Sequence, residues 1–188
     1  LHVVTGRVPN PVHFRYAAQR EEAPGGMMHL FTEIYDVLLN DFIFGTILDR
    51  FPKLKVACIE FEVAWVPHVM WRADQLQTSF SHRFDFPALA LEKASNYFRD
   101  RIFHVVIDDP YAAEAIPHIG TGQVMWGSDF PHTIALGRDA VDQVEAAFAV
   151  LPLGDQEKIV TLCRTYVKAK SGIWSPPENL TEVLFDGD

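Results

Sequence analysis

The fold of this chain is indicated by residues 124–132, Val-Met-Trp-Gly-Ser-Asp-Phe-Pro-His. An apolar run reaches Gly127, is followed by the carboxylate of Asp129, and stops at Pro131, which cannot pair within a central strand. A parallel strand presents a polar residue at its C-terminal end in this way, and the sites of α/β folds and barrels form there. Asp129 is therefore the first candidate for catalysis. The alternative is that Ser128 and Asp129 only begin a turn or cap the next helix.

Other apolar segments predict further strands with polar residues at their ends. They are Leu1–Thr5, Leu54–Ile59 and Ile102–Ile107. Helical patterns separate them, from 27 onward, over a second piece at 41–50, and at about 62–78, 111–116, 139–150 and 155–170, and a brief helix is expected within 94–101. Strands that alternate with helices imply a parallel sheet with right-handed crossovers. Because polar residues gather at the strand ends (His2, Glu60, Asp108 or Asp109, and Asp129), we predict half of an eight-stranded α/β barrel rather than a small open sheet.

Composition narrows the classes of partner. The 188 residues carry a formal net charge of -9 and are 48% hydrophobic, which suits a packed domain and disfavours nucleic acid or an anionic membrane as partners. The two cysteines, Cys58 and Cys163, each lie in an apolar run, as expected for buried thiols in a reducing compartment. We therefore expect a cytoplasmic protein.

The chain starts inside a predicted strand. Leu1 is not an initiator methionine, and such a residue is an unusual mature terminus, so we expect residues upstream of it to be missing.

Several motifs, taken together, resemble one family. They are Phe-Pro-Lys-Leu-Lys-Val at 51–56, Ile-Glu at 59–60, Trp-Val-Pro at 65–67 with Arg72 and Asp74, Tyr-Phe-Arg-Asp at 97–100, Asp-Asp-Pro at 108–110 and Trp-Gly-Ser-Asp-Phe-Pro-His at 126–132. Their order resembles the amidohydrolase-related metal-dependent hydrolases, which include aminocarboxymuconate semialdehyde decarboxylase and resorcylate decarboxylases. The resemblance covers about residues 42–137.

The resemblance implies a distorted (β/α)8 TIM-type barrel with a divalent metal, usually zinc, at its C-terminal mouth. The family's ligands are a His-x-His pair on the first strand, a His near the fifth and an Asp on the eighth. Asp129 matches the eighth-strand ligand and would also accept a proton from water, and His2 would match the fifth-strand ligand. The His-x-His pair has no counterpart, so the resemblance implies that residues 1–170 form the second half of the barrel (strands 5–8). Residues 171–188 contain Pro176, Pro177 and an acidic end, which predict an irregular tail.

Glu60 stands where the decarboxylase relatives carry a histidine that handles protons. A carboxylate there could act as a base or a further metal ligand, or it could be a strand-end carboxylate with a structural role. The resemblance therefore favours hydrolysis of an ester, lactone or amide of a small molecule, with non-oxidative decarboxylation of a small carboxylic acid as the alternative. His132 is a candidate substrate contact, with a structural hydrogen bond as its alternative.

A non-catalytic half-barrel interaction domain is the rival from another class. Its open sheet edges would need a second copy of the chain or the missing N-terminal half as a partner. Three further expectations concern individual residues and loops. His104 should be a core histidine, Arg72 and Asp74 should each pair with another element, and the loops 6–26 and 79–90 should set substrate specificity.

Overall fold

The computed structural model describes residues 32–129 and 140–160. The described residues fall into two compact units. Unit 1 comprises 32–61 and 68–102, and unit 2 comprises 62–67, 103–129 and 140–160. His2, His132 and the predicted tail at 171–188 lie outside the described residues, so their predictions remain predictions.

Unit 1 starts with two helical segments. Helix α1 covers residues 32–36 and continues as the π-helical stretch Val37–Ile43, and α2 covers Ile47–Arg50. The sequence predicted one helix over 41–50, but the chain breaks at Gly45 and Thr46. A Cβ at Gly45 would lie 2.3 Å from the Asp41 carbonyl oxygen, and Thr46 adopts a left-handed φ of 59°. The break therefore follows from backbone crowding that glycine alone tolerates.

Strand β1 covers Val56–Cys58, and all three of its residues are buried. This agrees with the continuous apolar run at 54–59, which predicted a strand covered on both faces. The Val56 N–H donates a hydrogen bond of 2.9 Å to the carbonyl of Arg101, the residue before the next strand. Helix α3 (Val66–Ser79) and helix α4 (Ala94–Asp100) lie between the two strands in the chain.

The strand order in the sheet is β1-β2-β3, with β2 at Ile102–Val106 and β3 at Val124–Trp126. Within unit 2, β2 and β3 are parallel, and Val106 lies opposite Trp126. Helix α5 (Ala112–Ile119) and a 3-10 turn at Thr121–Gln123 connect them. These elements confirm the predicted parallel α/β pattern.

Helix α5 extends past residue 116, where the sequence pattern predicted its end, and Pro117 does not terminate it. The proline lies inside the helix, which continues to Ile119. Proline removes a single hydrogen bond close to the end of the helix. Ile116 and Ile119, on either side of it, are both buried and hold the last turn against the core.

Two helices complete the described part of unit 2. They are α6 (Ala140–Phe148) and α7 (153–160), where 139–150 and 155–170 were predicted. Val144, Phe148 and Ile159 are buried on them. None of the described helices is long and apolar enough to cross a membrane.

The loop after α3 contradicts one functional expectation. Residues 80–93 connect the C-terminal end of α3 to α4, which leads into the first residue of β2. The Ala90 N–H donates to Asp49 of α2, and the Leu91 N–H donates to the Tyr97 hydroxyl of α4. Both helices precede strands in the chain, so the loop lies at the amino end of the strands. Since barrel sites form at the carboxyl ends, this loop is not placed to set specificity.

Candidate active site

Asp129 follows β3 and is half-buried. The pairing with β2 extends one residue beyond β3, because the Gly127 N–H donates to the Val106 carbonyl at 3.0 Å. A Cβ at Gly127 would lie 3.3 Å from the Val105 side chain, so the two chains pass close together here. Two residues later Asp129 adopts φ 51°. The carboxylate is therefore presented just after the last paired residue of β3, as the sequence predicted.

Glu60 follows β1 in unit 1 and is also half-buried. Its backbone adopts φ 66°. The structure thus places Glu60 at a strand end, where the sequence predicted a catalytic carboxylate.

Left-handed backbone is concentrated after the strands. Five described residues other than glycine have positive φ, namely Thr46, Glu60, Glu62, Glu92 and Asp129. Three of them follow β1 or β3 directly, and all three are acids. Such conformations cost of order 1–3 kcal/mol each and cluster at functional sites. This strain makes each of the three acids a candidate for function.

Two carboxylates of unit 2 connect the loops that follow β1 and β2, and each accepts backbone N–H groups from the loop that carries the other. The side chain of Glu62 accepts the N–H groups of Ile107 (3.0 Å) and Asp108 (3.2 Å). In the opposite direction, Asp109 Oδ2 accepts the N–H groups of Val63 (2.9 Å) and Ala64 (2.7 Å). We call this arrangement, formed by the Glu62 and Asp109 carboxylates and these four amides, the carboxylate clamp.

The clamp also anchors helix α5. Asp109 Oδ1 accepts the Tyr111 N–H at 3.0 Å, and the Asp109 carbonyl accepts the Ala112 N–H at 3.1 Å. Asp109 is only 7% exposed, and its hydrogen bond with the Val63 N–H is buried, whereas those with the Ala64 and Tyr111 N–H groups are part-buried. Burial raises the pKa of the Glu62 carboxyl, an effect that the amides of Ile107 and Asp108 oppose. No local sequence pattern predicts the clamp, because its partners lie about 45 residues apart.

His104 is a core residue, as predicted. It is fully buried on β2, and its ring lies edge-on to that of Trp65, with 5.6 Å between centroids. Burial lowers the pKa of His104 to about 3. The imidazole is therefore neutral near pH 7.

The predictions for Arg72 and Asp74 have different outcomes. Asp74 pairs with another element, since its carboxylate accepts the Ser95 N–H at 2.9 Å and the Ser95 hydroxyl at 2.7 Å. Arg72 instead donates to Gln75 of the same helix at 2.5 Å, and its guanidinium lies 4.8 Å from the centroid of the Trp71 ring. Gln75 is the hydrogen-bond partner of Arg72 among the described residues, so the pairing of Arg72 with another element stays a prediction.

A metal site cannot be assembled from the described residues alone. They contain no group of three or more His, Cys, Asp or Glu side chains that could hold an ion. A catalytic zinc usually takes three protein ligands. Asp129 is a suitable oxygen ligand, and His2 lies outside the described residues, so further ligands would have to come from elsewhere in the protein.

Comparison with known proteins identifies the family. The family model for amidohydrolases matches residues 28–161, so the chain belongs to the amidohydrolase family. An uncharacterised protein of Sinorhizobium fredii is 58% identical over 60 residues, which are 31% of this chain and 15% of that protein.

Solved structures confirm the fold class. The structure of 5-carboxyvanillate decarboxylase from Sphingomonas paucimobilis has a TM-score of 0.63 at 21% identity, over 86% of this chain and 47% of that one. A dihydroxybenzoic acid decarboxylase from Polaromonas sp. JS666, with bound manganese and the inhibitor 2-nitroresorcinol, has a TM-score of 0.60 at 20% identity, over 93% of this chain and 50% of that one. The chain thus has the α/β barrel-type fold of this family and spans about half the length of these structural relatives.

Proposed function

We propose that the complete protein is a metal-dependent hydrolase that acts on an ester, lactone or amide of a small molecule. The observation that carries the proposal is the position of Asp129. It is a half-buried carboxylate with a left-handed backbone, directly after a parallel strand, within the part of the chain that matches the amidohydrolase family. Residues 1–170 would supply the second half of the barrel, and the cell compartment would be the cytoplasm.

In this proposal the chain's own residues have distinct roles. Asp129 and His2 would bind a divalent metal, with zinc as our proposal, and Asp129 would also accept the proton that water loses on attack. A bound divalent metal polarises the substrate and lowers the pKa of bound water to about 7. Glu60 would act as a base, and His132 would contact the substrate.

Decarboxylation of a small carboxylic acid is the second candidate. Two structural relatives are named as decarboxylases of aromatic acids, which favours this chemistry. Glu60 argues against it, because a carboxylate cannot serve as an imidazolium, and His104 is neutral near pH 7. We therefore place hydrolysis first.

Asp129→Asn tests the proposal in the protein expressed from its complete reading frame. We expect the variant to lose bound metal and turnover, since the amide is a weak ligand and a poor proton acceptor. Metal content would be measured by elemental analysis. Turnover would be measured as acid release from aryl esters and lactones, and as carbon dioxide release from dihydroxybenzoates. Asp142→Asn is the control, because Asp142 is an exposed carboxylate on helix α6.

The outcomes separate the candidates. Acid release that is lost in Asp129→Asn and kept in the control supports the hydrolase. Carbon dioxide release that is lost in the same way supports the decarboxylase. Wild-type metal content and turnover in Asp129→Asn would refute the role of Asp129. A complete protein with neither metal nor turnover, but with a stable partner or dimer, would favour the interaction domain.

A further inference from the structure

We infer that Glu62 and Asp109 are positioning residues for Asp129 and act through the end of strand β2. This inference rests on the proposed function, because it concerns how the proposed metal ligand is held. Neither side chain is required to touch metal or substrate. They hold the end of β2 in place, and β2 pairs with the residues just before Asp129.

The first step is the contact between Glu62 and the end of β2. The strand ends at Val106, and the next two N–H groups, those of Ile107 and Asp108, donate to the two oxygens of Glu62. Hydrogen bonds from backbone N–H groups to a carboxylate are about twice as strong as hydrogen bonds between neutral groups. The peptide that follows Val106 is therefore held in place by a side chain from a distant loop.

The second step leads from β2 to Asp129. The Val106 carbonyl accepts the Gly127 N–H at 3.0 Å, and Val106 is in register with Trp126. Gly127 also lies close to β2, since a Cβ there would be 3.3 Å from the Val105 side chain. Any shift of the β2 end thus reaches Gly127, which lies two residues before Asp129.

The third step is the reciprocal half of the clamp. Glu62 can hold β2 only if its own loop is fixed, and Asp109 fixes that loop through the adjacent amides of Val63 and Ala64. The backbone at Glu62 is left-handed, with φ 56°, so the turn requires such external support. Because Asp109 also holds Tyr111, the clamp unites both loops with the start of α5.

Glu62→Gln in the complete protein tests the inference. Glutamine keeps the length of the side chain but places an NH2 group against one of the two amides. We expect the Zn²⁺ affinity to fall about 10- to 100-fold, as it does when groups that orient metal ligands are removed. Amide hydrogen exchange at Ile107 and Asp108 should become at least about tenfold faster. Zn²⁺ affinity would be measured by competition with a fluorescent chelator.

Asp74→Asn is the matched control. Asp74 also holds a backbone amide, that of Ser95, but it lies on a helix of unit 1. We expect this variant to speed amide exchange at Ser95 while its Zn²⁺ affinity stays within about twofold of the wild type. An equal loss of affinity in both variants would show a general loss of stability and would overturn the inference.

Asp129→Asn separates this inference from the proposed function. If Asp129→Asn lowers Zn²⁺ affinity and Glu62→Gln does not, the positioning role fails and the proposed function stands. If Asp129→Asn leaves Zn²⁺ affinity unchanged, the proposed function fails and the positioning role fails with it.

A measurement on the wild type covers the case in which Glu62→Gln does not fold. Coupling between two sites is reciprocal, so Zn²⁺ binding should slow amide exchange at Ile107 and Asp108. Exchange at Ser95 should not change. Equal exchange at Ile107 and Asp108 with and without Zn²⁺ would overturn the inference.

Discussion

Asp74 in unit 1 and Asp109 in unit 2 are both aspartates of recognisable motifs, and both hold backbone amides. Asp74 is half-buried and serves one residue, Ser95. Asp109 is almost fully buried and serves three residues on two segments of the chain. The comparison teaches that a carboxylate at a strand end can be committed to the backbone, so residue type and position do not by themselves identify a catalytic acid.

Replacing each aspartate by alanine should give the largest contrast. Asp109→Ala leaves three amides without their carboxylate acceptor, one at a buried site and two at part-buried sites, and we expect a loss of about 3 kcal/mol or more in the free energy of unfolding. Asp74→Ala should cost about 1–2 kcal/mol, because water can reach its partly exposed site. Urea denaturation followed by circular dichroism measures both values. Equal losses would contradict the comparison.

The pH dependence of stability should show a smaller effect, which arises in unit 2. Burial lowers the pKa of His104 from 6.5 to about 3, so the unfolded chain binds a proton in this range that the folded chain does not. The contribution of neutral His104 to the free energy of unfolding is fully present above pH 6.5 and is lost as the pH falls toward 3. From pH 6.5 to pH 5 the expected loss is roughly 2 kcal/mol.

His104→Gln isolates this contribution. The variant should lose less stability than the wild type between pH 6.5 and pH 5, whatever its stability at neutral pH. Glu62 has the opposite pH dependence, because its raised pKa makes its contribution to the free energy of unfolding decrease as the pH rises above 4.5. Glu62 is present in both the wild type and His104→Gln, so its effect is the same in both. Denaturation at a series of pH values gives the two slopes. Identical slopes would refute the assignment to His104.

The smallest effect is expected on the exposed face of α3. Arg72 lies over the Trp71 ring, but Trp71 is 54% exposed and Arg72 is exposed as well. Arg72→Ala should therefore change the free energy of unfolding by no more than about 0.5–1 kcal/mol. A loss comparable to that of Asp109→Ala would show that this face makes contacts beyond those of the described residues.

The sequence predicted those parts of the fold that depend on local pattern. The apolar runs at 54–59 and 102–107 correspond to β1 and β2, and the run before Gly127 corresponds to β3. Residues 62–65 were predicted to start a helix, but α3 begins only at Val66. The carboxylate of Asp109 holds the amides of Val63 and Ala64 in a turn instead, and no local pattern encodes a partner 45 residues away.

The candidate site was predictable to a similar extent. Apolar runs that end at an acid placed Asp129 and Glu60 at strand ends, and the structure agrees for both. The same pattern could not distinguish Asp109, which binds backbone N–H groups, from these candidate catalytic acids, because the hydrogen bonds of Asp109 depend on the tertiary structure. His104 could be assigned to the core because it lies in the middle of an apolar strand, where an ionised imidazole would be costly.

The left-handed residues have a consequence for engineering and for natural variation. Glycine adopts this conformation at lower cost than any residue with a side chain, so a Gly at position 60 or 129 would relax the backbone. Selection of variants for thermal stability alone would thus favour replacement of the two acids on which the proposed chemistry depends. Thr46 and Glu92, which share the conformation but do not follow a strand, allow the same gain without that trade-off.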